Sequence, residues 1–371
     1  MSRRIAYVIS TTTGGGGAER LLVRLVEEGD ARGWDQLILN PFARELPATF
    51  ADLATSPRYR RRSCDRLAQL PGVRRWVGDE LRAFTPDIVH VMLFHALVTV
   101  ATLPRGDTGK RLLTHVYGEG LRAEGLAGIK GQLDRWAVKR CDGVVAISEA
   151  VRRFLVTQYG YPAGSVTCIP PGWEGDPLPT KAADRAPTVV CVAKLRPEKG
   201  HDVLLAAFPL VRRQVPDARL VLVGDGDIRP ELEAQVEGRG LNGAVEFTGA
   251  VPDIWPYLAD ADVFALASVT EAFGMAIVEA MAAGLPVVAP ALGGIPELVT
   301  PGVSGELFPP GDHEALARHV VELLTSPRTR SRMGAEARKV AEPLRMTHTI
   351  PRYFDLYDAM LSPGRERRTG S

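Results

Sequence analysis

Short apolar runs alternate with segments of helical periodicity along most of the chain. In the first half, strands are predicted at RIAYVIS, DQLILN, DIVHVM, KRLLTHV, DGVVAIS and VTCIP. Helices are predicted between most of them, at 18–31, 132–140 and 149–159. The second half repeats the alternation with TVVCVAK, RLVLVGDG, VEFTGA, DVFALAS, PVVAPA and GELFPP. Because these strands are apolar almost throughout and alternate with helices, the pattern predicts an α/β protein with parallel sheets covered on both faces.

The chain has 371 residues, which suggests two domains at about 100–200 residues each. Between the two halves lies PPGWEGDPLPTKAADRAP, which is rich in Pro, Gly and charged residues, has no period, and predicts an interdomain linker. The chain ends in an aromatic-containing helix, and residues 363–371 are expected to be disordered. Ligands of doubly wound sheets bind outside the carboxyl ends of the strands, so the loops that follow strands are the candidate sites.

Composition and charge narrow the class of protein only a little. Hydrophobic residues make up 45% of the chain and the net charge is +1, so no nucleic-acid partner is indicated. The four cysteines, Cys64, Cys141, Cys168 and Cys191, show no C-x-x-C spacing, as in a cytosolic protein with reduced thiols. The longest apolar stretch, 91–103, is shorter than the roughly 20 residues of a spanning helix. A cytoplasmic protein, at most peripheral on the inner face of the membrane, is therefore expected.

Two loops of the first half carry candidate chemistry. Gly14, Gly15, Gly16 and Gly17 follow a strand and open a helix, where close backbone approach and a helix start favour a phosphate or sugar. A flexible turn is the alternative interpretation. The dinucleotide fingerprint G-x-G-x-x-G and the P-loop are both absent. His115 ends a strand and can donate or accept a hydrogen bond there, although a lone histidine is more often structural.

In the second half, Lys194 closes a strand-like run and Lys199 precedes a helix that begins near His201. Two ammonium groups on one loop can neutralise a diphosphate, although a solvated loop would carry lysines too. Gly224 and Gly226 allow the backbone to approach a flat ligand such as a base. The acids beside them, and the DAD sequence at 260–262, could suggest a metal. We interpret them as turn, cap and strand-entry residues, because no further ligand completes a metal site.

The stretch VTEAFGMAIVEAMAAGLP places Glu271 before a predicted helix and Glu279 on its second turn. The helix start near Phe273, Gly274 and Met275 offers free N–H groups and a positive dipole end, which suit a diphosphate. Carboxylates accept hydrogen bonds from vicinal hydroxyls. Glu271 can therefore hold a sugar and Glu279 a ribose. The alternative, a helix-surface glutamate, fits Glu279 poorly among its apolar neighbours.

These residues resemble a known family. EAFGMAIVEAMAAGLPVVAPALGGIPELV is similar to the signature of retaining glycosyltransferase family 4, whose E-x7-E motif is met by Glu271 and Glu279. Further blocks match in order, namely VAKLRPEKG, LVGDGDIRPELE, VEFTGAV and VSGELFPPGD in the second half and GGGGAER, LTHVYG and GVVAISEA in the first. The resemblance covers nearly the whole chain. It implies a GT-B fold, with two doubly wound Rossmann-like domains facing each other across a cleft.

The resemblance also implies the division of the chain. Residues 1–172 would form the acceptor-binding domain, 173–187 the linker and 188–347 the domain that binds the nucleotide-sugar donor. The C-terminal helix, 348–362, would cross back to the first domain. The acceptor would be held mainly by the first domain, where the family motifs are weakest.

The same resemblance implies roles for the candidate residues. Glu279 would bind the donor ribose and Glu271 the transferred sugar. Lys194 and Lys199 would bind the diphosphate, although the family usually has Arg at the position of Lys194, and lysine lacks the forked geometry. Backbone groups are expected to contact the donor at Gly15, Gly16, Gly17, Gly224, Val251, Phe273, Gly274 and Met275. His115 would approach the sugar, and Ser148 matches a serine of the family's SE pair.

The expected activity is transfer of a hexosyl group, with retention, from a UDP- or GDP-sugar to a hydroxyl acceptor. His115, Glu271, Lys199 and Lys194 are the candidate catalytic residues. The sequence predicts no metal or other cofactor, because positive charge at the lysines and helix start can stabilise the leaving diphosphate. The alternatives are a nucleotide-sugar epimerase and a sugar-nucleotide-binding protein without activity. Donor turnover in an acceptor screen separates the three.

The acceptor is left open between a lipid-linked sugar, a polysaccharide and a small natural product. One indication is the segment 57–82, PRYRRRSCDRLAQLPGVRRWVGDELR, which is dense in arginine. Such a segment could meet an anionic acceptor or lipid headgroups. An ordinary solvated basic helix and loop is the slightly favoured alternative.

Overall fold

The computed structural model describes residues 3–10, 17–42, 50, 53, 55–62, 69–115, 128–176 and 185–362, with Asp107 and His115 described by their backbone only. The chain divides into two compact units. The first comprises Met1–Gly172 and Met346–Ser371, and the second Trp173–Arg345. Of the predicted linker, 177–184 lie outside the described residues, as does the predicted disordered tail 363–371.

The described part of the first unit holds one parallel sheet in the order β3-β2-β1-β4-β5-β6-β7. Its strands are β1 Arg4–Ile9, β2 Asp35–Asn40, β3 Tyr59–Arg61, β4 Ile88–Met92, β5 Lys110–His115, β6 Gly143–Ala146 and β7 Val166–Cys168. Its helices before the unit boundary are α1 Gly17–Ala31, α2 Leu70–Phe84, α3 Phe94–Ala101, α4 Ile129–Val138 and α5 Glu149–Tyr159. Helix α5 has defined ends, because Ser148 Oγ accepts a hydrogen bond from Val151 N at 3.1 Å at its start and Gly160 ends it with a φ of 64°.

The second unit holds a parallel sheet in the order β10-β9-β8-β11-β12-β13. Its strands are β8 Thr188–Val192, β9 Arg219–Val223, β10 Val245–Gly249, β11 Val263–Ala265, β12 Val287–Pro290 and β13 Gly305–Phe308. Its helices are α6 His201–Gln214, α7 Arg229–Gly238, α8 Trp255–Ala259, α9 Met275–Ala282, α10 His313–Thr325 and α11 Pro327–Ala341. The expected architecture of two parallel, doubly wound sheets is confirmed.

One strand was not predicted. The basic segment 57–82 was interpreted as helix and loop, but Tyr59–Arg61 forms β3, which pairs in parallel with β2 through Ile38 and Tyr59. Tyr59 is buried while Arg60 and Arg61 are exposed. A three-residue run with two arginines carries no strand pattern of its own. Pairing with the edge of β2 makes it a strand, so only the tertiary structure could show it.

The terminal helix α12, Met346–Leu361, belongs to the first unit. Its aromatic face packs into the core of that unit, where Phe354 meets Trp34 edge-on at 5.5 Å between ring centroids. Tyr357 Oη lies 2.7 Å from His90 Nδ1, and His90 Nε2 lies 2.6 Å from Thr114 Oγ1. His90 sits on β4, so this fully buried chain of contacts ties α12 to the centre of the first sheet.

Burial lowers the pKa of His90 to about 3, so protonation of the unfolded chain below its ordinary pKa of about 6.5 favours unfolding. We expect His90 to cost about 2 kcal/mol of folding stability between pH 7 and pH 5. The variant His90→Gln should lose that part of the pH dependence, whatever its stability at pH 7. Denaturant unfolding at both pH values measures the difference.

The parent chain, measured alongside at both pH values, is the reference. An unchanged pH dependence in His90→Gln would show that the buried imidazole does not couple to unfolding.

Candidate functional site

The strand order of the second sheet reverses at β8, which pairs with β9 on one side and β11 on the other. A crevice opens at such a reversal, outside the carboxyl ends of the strands, and ligands of open α/β sheets bind there. The loop after β8 carries Lys194 and Lys199, and the loop after β11 carries Glu271. Three candidate residues from distant parts of the chain therefore flank one crevice.

Lys199 and Glu271 form an ion pair within this crevice. Lys199 Nζ donates to Glu271 Oε2 at 2.8 Å, with the two side chains 27% and 16% exposed. Lys194 is exposed, two residues beyond the end of β8. The arrangement presents a cation and a carboxylate side by side, which suits a ligand that carries both phosphate and hydroxyl groups.

The start of α9 adds a third polar element. Gly274 precedes the helix with a φ of 100°, no side chain caps it, and Met275 is its first residue. The N–H groups of the first turn therefore face the loop that carries Glu271. The positive end of the helix dipole faces the same loop. Phe273 is 3% exposed and Glu279 is 5% exposed. This burial rules out the interpretation of Glu279 as a helix-surface residue.

Glycines that the sequence singled out only as part of a motif hold the Glu271 loop in place. A Cβ on Gly293, which has a φ of +53°, would lie 1.7 Å from the carbonyl oxygen of Glu271. A Cβ on Gly294 would lie 2.5 Å from the carbonyl oxygen of Ala272. The loop after β12 therefore packs backbone to backbone against the loop after β11. This packing was not predicted from the sequence.

Similar contacts fix the loop that carries the lysines. A Cβ on Gly200, at a φ of +63°, would lie 2.0 Å from Ala267 O, and one on Gly224, at +140°, would lie 2.1 Å from Ala193 O. Gly224 was expected to let a base approach, but packing within the protein already requires a glycine there. The loops after β8, β9, β11 and β12 therefore approach one another so closely that these positions have no room for a side chain.

Two buried polar atoms at this crevice have no hydrogen-bond partner among the described atoms. They are His201 Nδ1, at the first residue of α6, and Ser268 Oγ, just after β11. His201 is 2% exposed, and burial lowers its pKa to about 4, so it is neutral at pH 7. Unpartnered buried polar atoms are uncommon in folded proteins. Sequence reasoning missed both residues, because neither stands in a recognisable catalytic spacing.

The remaining candidates of the second unit lie at its edges. Val251 follows β10, beside the bridge between Gly224 and Gly249. Asp225 accepts from Gly226 N at 2.9 Å and pairs with Arg229 at 3.6 Å.

The DAD acids at 260–262 are also held by the fold. Asp262 accepts from Thr188 N at 2.9 Å and pairs with Arg185 at 2.9 Å, while Asp260 pairs with Arg185 at 3.3 Å. The DAD acids thus have the structural role that the sequence favoured, and Asp225 holds the turn. The helix cap predicted beside it was wrong, because α7 follows Ile228 with no side-chain cap. Within the described ranges, no group of three or more His, Cys, Asp or Glu is placed to hold a metal ion.

In the first unit, part of the predicted glycine loop, including Gly15 and Gly16, lies outside the described residues, while Gly17 begins α1. The backbone of His115 ends β5, as expected, and its side chain is not among those described. Ser148 is fully buried and caps α5, which accounts for it structurally. Glu19, in the first turn of α1, is only 5% exposed, and the burial of this carboxylate was not predicted from the sequence.

The first unit has its own strand-order reversal between β1 and β4. Leu93, directly after β4, has a φ of 70° and a ψ of 160°, which for a residue with a Cβ costs about 1–3 kcal/mol and concentrates at functional sites. His95, two residues on, packs against Phe42 after β2, with the ring centroids 5.4 Å apart and the rings tilted by 45°. Hydrophobic pattern alone gives no signal for a strained leucine, so neither residue was predicted.

Comparison with known families covers both units. The model of glycosyl transferases group 1 matches residues 178–340, and the model of glycosyltransferase family 4 matches residues 15–174. The chain belongs to glycosyltransferase family 4. The resemblance drawn from the E-x7-E motif is therefore confirmed.

The chain is similar in sequence to two other glycosyltransferases. The chain is 34% identical over 217 residues to a GDP-mannose-dependent alpha-(1-6)-phosphatidylinositol monomannoside mannosyltransferase of Mycolicibacterium smegmatis. That match covers 53% of this chain and 56% of the relative. It is 31% identical over 284 residues to a D-inositol 3-phosphate glycosyltransferase of Segniliparus rotundus, covering 70% of this chain and 59% of the relative. The chain thus spans little more than half the length of these relatives.

Solved structures share the fold across nearly all of the chain. Anabaena Alr3699/HepE, solved in complex with UDP-glucose, has a TM-score of 0.82, 22% identity, and coverage of 96% of this chain and 99% of its own. Sucrose-phosphate synthase from Thermosynechococcus elongatus has a TM-score of 0.80, 22% identity, and the same coverage of both chains. The GT-B fold class expected from the sequence is confirmed. No helix in the described part of the chain is long and apolar enough to span a membrane.

The Gly293 contact can be separated from the strain of its backbone. Gly293→Ala and Gly302→Ala both place a Cβ at positive φ, but a Cβ on Gly302 would meet no atom within 4 Å. Each variant should lose about 1–2 kcal/mol of stability from the backbone. Only Gly293→Ala should also displace the Glu271 carbonyl.

Calorimetric titration with UDP and GDP, and with their sugars, checks this family 4 site. We expect Gly293→Ala to weaken sugar-nucleotide binding about tenfold or more and Gly302→Ala to leave it unchanged. Equal affinities in the two variants would contradict a positioning role for Gly293.

Proposed function

We propose that this protein transfers a hexosyl group from a nucleoside diphosphate sugar to a hydroxyl acceptor, with retention at the anomeric carbon. The observation that carries the proposal is the Lys199–Glu271 pair at 2.8 Å beside the uncapped start of α9. A phosphate-binding cation, a hydroxyl-binding carboxylate and a helix start meet at one strand-order reversal. Few ligands other than a sugar nucleotide need all three.

In this proposal the diphosphate lies against Lys194, Lys199 and the N–H groups at the start of α9. Glu271 accepts hydrogen bonds from the transferred sugar, and the buried Glu279 from the donor ribose. Donor binding then replaces the Lys199–Glu271 contact, because the ammonium turns to phosphate and the carboxylate to hydroxyls. The pair keeps both groups partly neutralised while the site is empty, which limits the cost of desolvating them.

The proposed reaction breaks the bond between the anomeric carbon and the phosphate oxygen, and forms one to the acceptor oxygen on the same face. The acceptor proton passes to the leaving diphosphate. Glu271 is already assigned to hydroxyl binding, so no carboxylate is left as nucleophile, and departure from the front face is consistent with retention. Positive charge from the lysines and the helix dipole stabilises the leaving group, which supports a metal-independent reaction.

The names of the relatives suggest which donor and acceptor to test first. One relative is a GDP-mannose-dependent enzyme acting on phosphatidylinositol monomannoside, and another acts on D-inositol 3-phosphate. We propose GDP-mannose as the first donor and an inositol-bearing glycolipid as the first acceptor, with UDP-sugars as the second choice. A lipid acceptor would bring the protein to the inner face of a membrane.

The ion pair itself provides the main test. Glu271→Gln should lower kcat/KM roughly a hundredfold, because hydrogen bonds to the sugar are lost. It should leave the affinity for the nucleoside diphosphate unchanged or higher, because Lys199 no longer has a competing partner. Lys199→Met should instead weaken diphosphate binding about tenfold. Transfer assays and calorimetry on each variant measure both effects.

Lys339 and Glu336 form a pair of the same 2.8 Å length on the exposed side of α11, and they serve as the control. Glu336→Gln and Lys339→Met should leave turnover and binding within twofold of the parent. A Glu271→Gln enzyme with parental kcat/KM would rule out the role of Glu271.

Stereochemistry and metal dependence form a separate test. Proton NMR of the first-formed product should show the anomeric configuration of the donor, and activity should survive EDTA because protein cations stabilise the diphosphate. An inverted product would refute the front-face step, and loss of activity restored by Mn²⁺ would refute metal independence, without affecting the assignment as a glycosyltransferase.

A further inference from the structure

Helix α4 of the first unit exposes apolar side chains. Ile129 is 80% exposed and Leu133 is 40% exposed. Trp136 is partly exposed, and the spacing of these three residues places them on one face of the helix. Scattered apolar residues are common on protein surfaces, but an apolar stripe along a helix faces a partner.

Cations flank the stripe. Lys130, Lys139 and Arg140 are exposed on or beside α4. The one acid within α4, Asp134, is 1% exposed and accepts a hydrogen bond from Tyr159 Oη at 2.8 Å. The outer side of α4 therefore combines apolar side chains with positive charge and carries no exposed carboxylate. A solvated surface helix typically mixes both signs of charge.

The neighbouring helices also carry apolar side chains and positive charge. Helix α2 packs beside α3, and α3 beside α4. Between α2 and α3 lies a groove of about 670 Å³, lined by Arg74, Arg75 and Arg82 together with Leu70 and apolar atoms of α3. Leu70 is 38% exposed.

Acids offset the arginines of this layer only in part. Asp79, the exposed acid of α2, is paired with Arg82, and the less exposed Glu80 is paired with Arg60. The positive charge of this helix layer is therefore in excess on its outer side.

This combination suits an anionic bilayer better than water. Apolar side chains on a cationic helix face insert at the level of the headgroups, and the cations bind lipid phosphates. Charge complementarity thus favours a membrane over a protein partner, for which a core depleted of charge would be expected. The groove offers room for a phosphate-bearing headgroup beside the three arginines.

We propose that the outer face of α2, α3 and α4 docks the protein onto a bilayer containing anionic phospholipid. Ile129 and Leu133 enter the interfacial region, and Arg74, Arg75 and the cations of α4 contact the headgroup phosphates. This surface gives a lipid acceptor a route to the protein, and to that extent the inference rests on the proposed function. Binding to vesicles needs neither donor nor acceptor, so its failure would leave the proposed transfer reaction untouched.

Flotation of the full chain with vesicles tests the surface. We expect binding to vesicles of phosphatidylcholine with phosphatidylglycerol at low ionic strength, weak binding to phosphatidylcholine alone, and weakening as salt rises toward about 0.5 M. Arg75→Gln with Lys139→Gln should lower the partition coefficient about twentyfold, at about fivefold per cation. Ile129→Ser with Leu133→Ser should lower it about tenfold.

Matched controls lie on the second unit. Arg213→Gln with Arg328→Gln removes the same charge from exposed positions, and Val303→Ser removes a side chain that is 42% exposed. These variants should bind vesicles within twofold of the parent. Melting temperatures verify that every variant is folded. The proposal is overturned if the parent protein does not float with anionic vesicles at low salt, or if surface variants and controls bind alike.

Discussion

The position of β8 between β9 and β11 is the constraint on which the candidate site depends. Because all the strands of this sheet are parallel, their carboxyl ends share one edge, and the loops after β8 and β11 diverge there. That divergence brings Lys199 to within 2.8 Å of Glu271, although 72 residues separate them in the chain. A strand order that separated β8 from β11 would leave Lys199 and Glu271 apart.

Close contacts between glycines and carbonyl oxygens of neighbouring loops define the geometry of that crevice. Gly200, Gly224 and Gly293 each approach a neighbouring loop's carbonyl oxygen too closely for a Cβ. The motifs of the family are therefore partly packing motifs, since their glycines keep the loops in register and hold the carboxylate and lysine at fixed positions. Loops packed together in this way need less reorganisation when a ligand binds.

In the first unit, one core residue and one surface residue depart from the burial that is usual for their type. The core of this unit is closed by α12, whose Tyr357 lies 2.7 Å from His90, a residue 267 positions away in the chain. Its outer helices keep Ile129 exposed among cations. A buried histidine and an exposed isoleucine both run against composition rules. Each has its explanation in tertiary contacts or in a partner, and not in its neighbours along the chain.

The sequence by itself determined the alternation of strands and helices, the family, and the placement of Glu271 before a helix with Glu279 on its second turn, because these follow from local periodicity and short spacing. It missed β3, the strain at Leu93, the unpartnered His201 and Ser268, and the positioning role of Gly293. These features depend on which segments pack together. The local pattern of a sequence contains no information about the distance between remote segments. The tertiary structure alone decided that Lys199 meets Glu271, since strand order sets that contact.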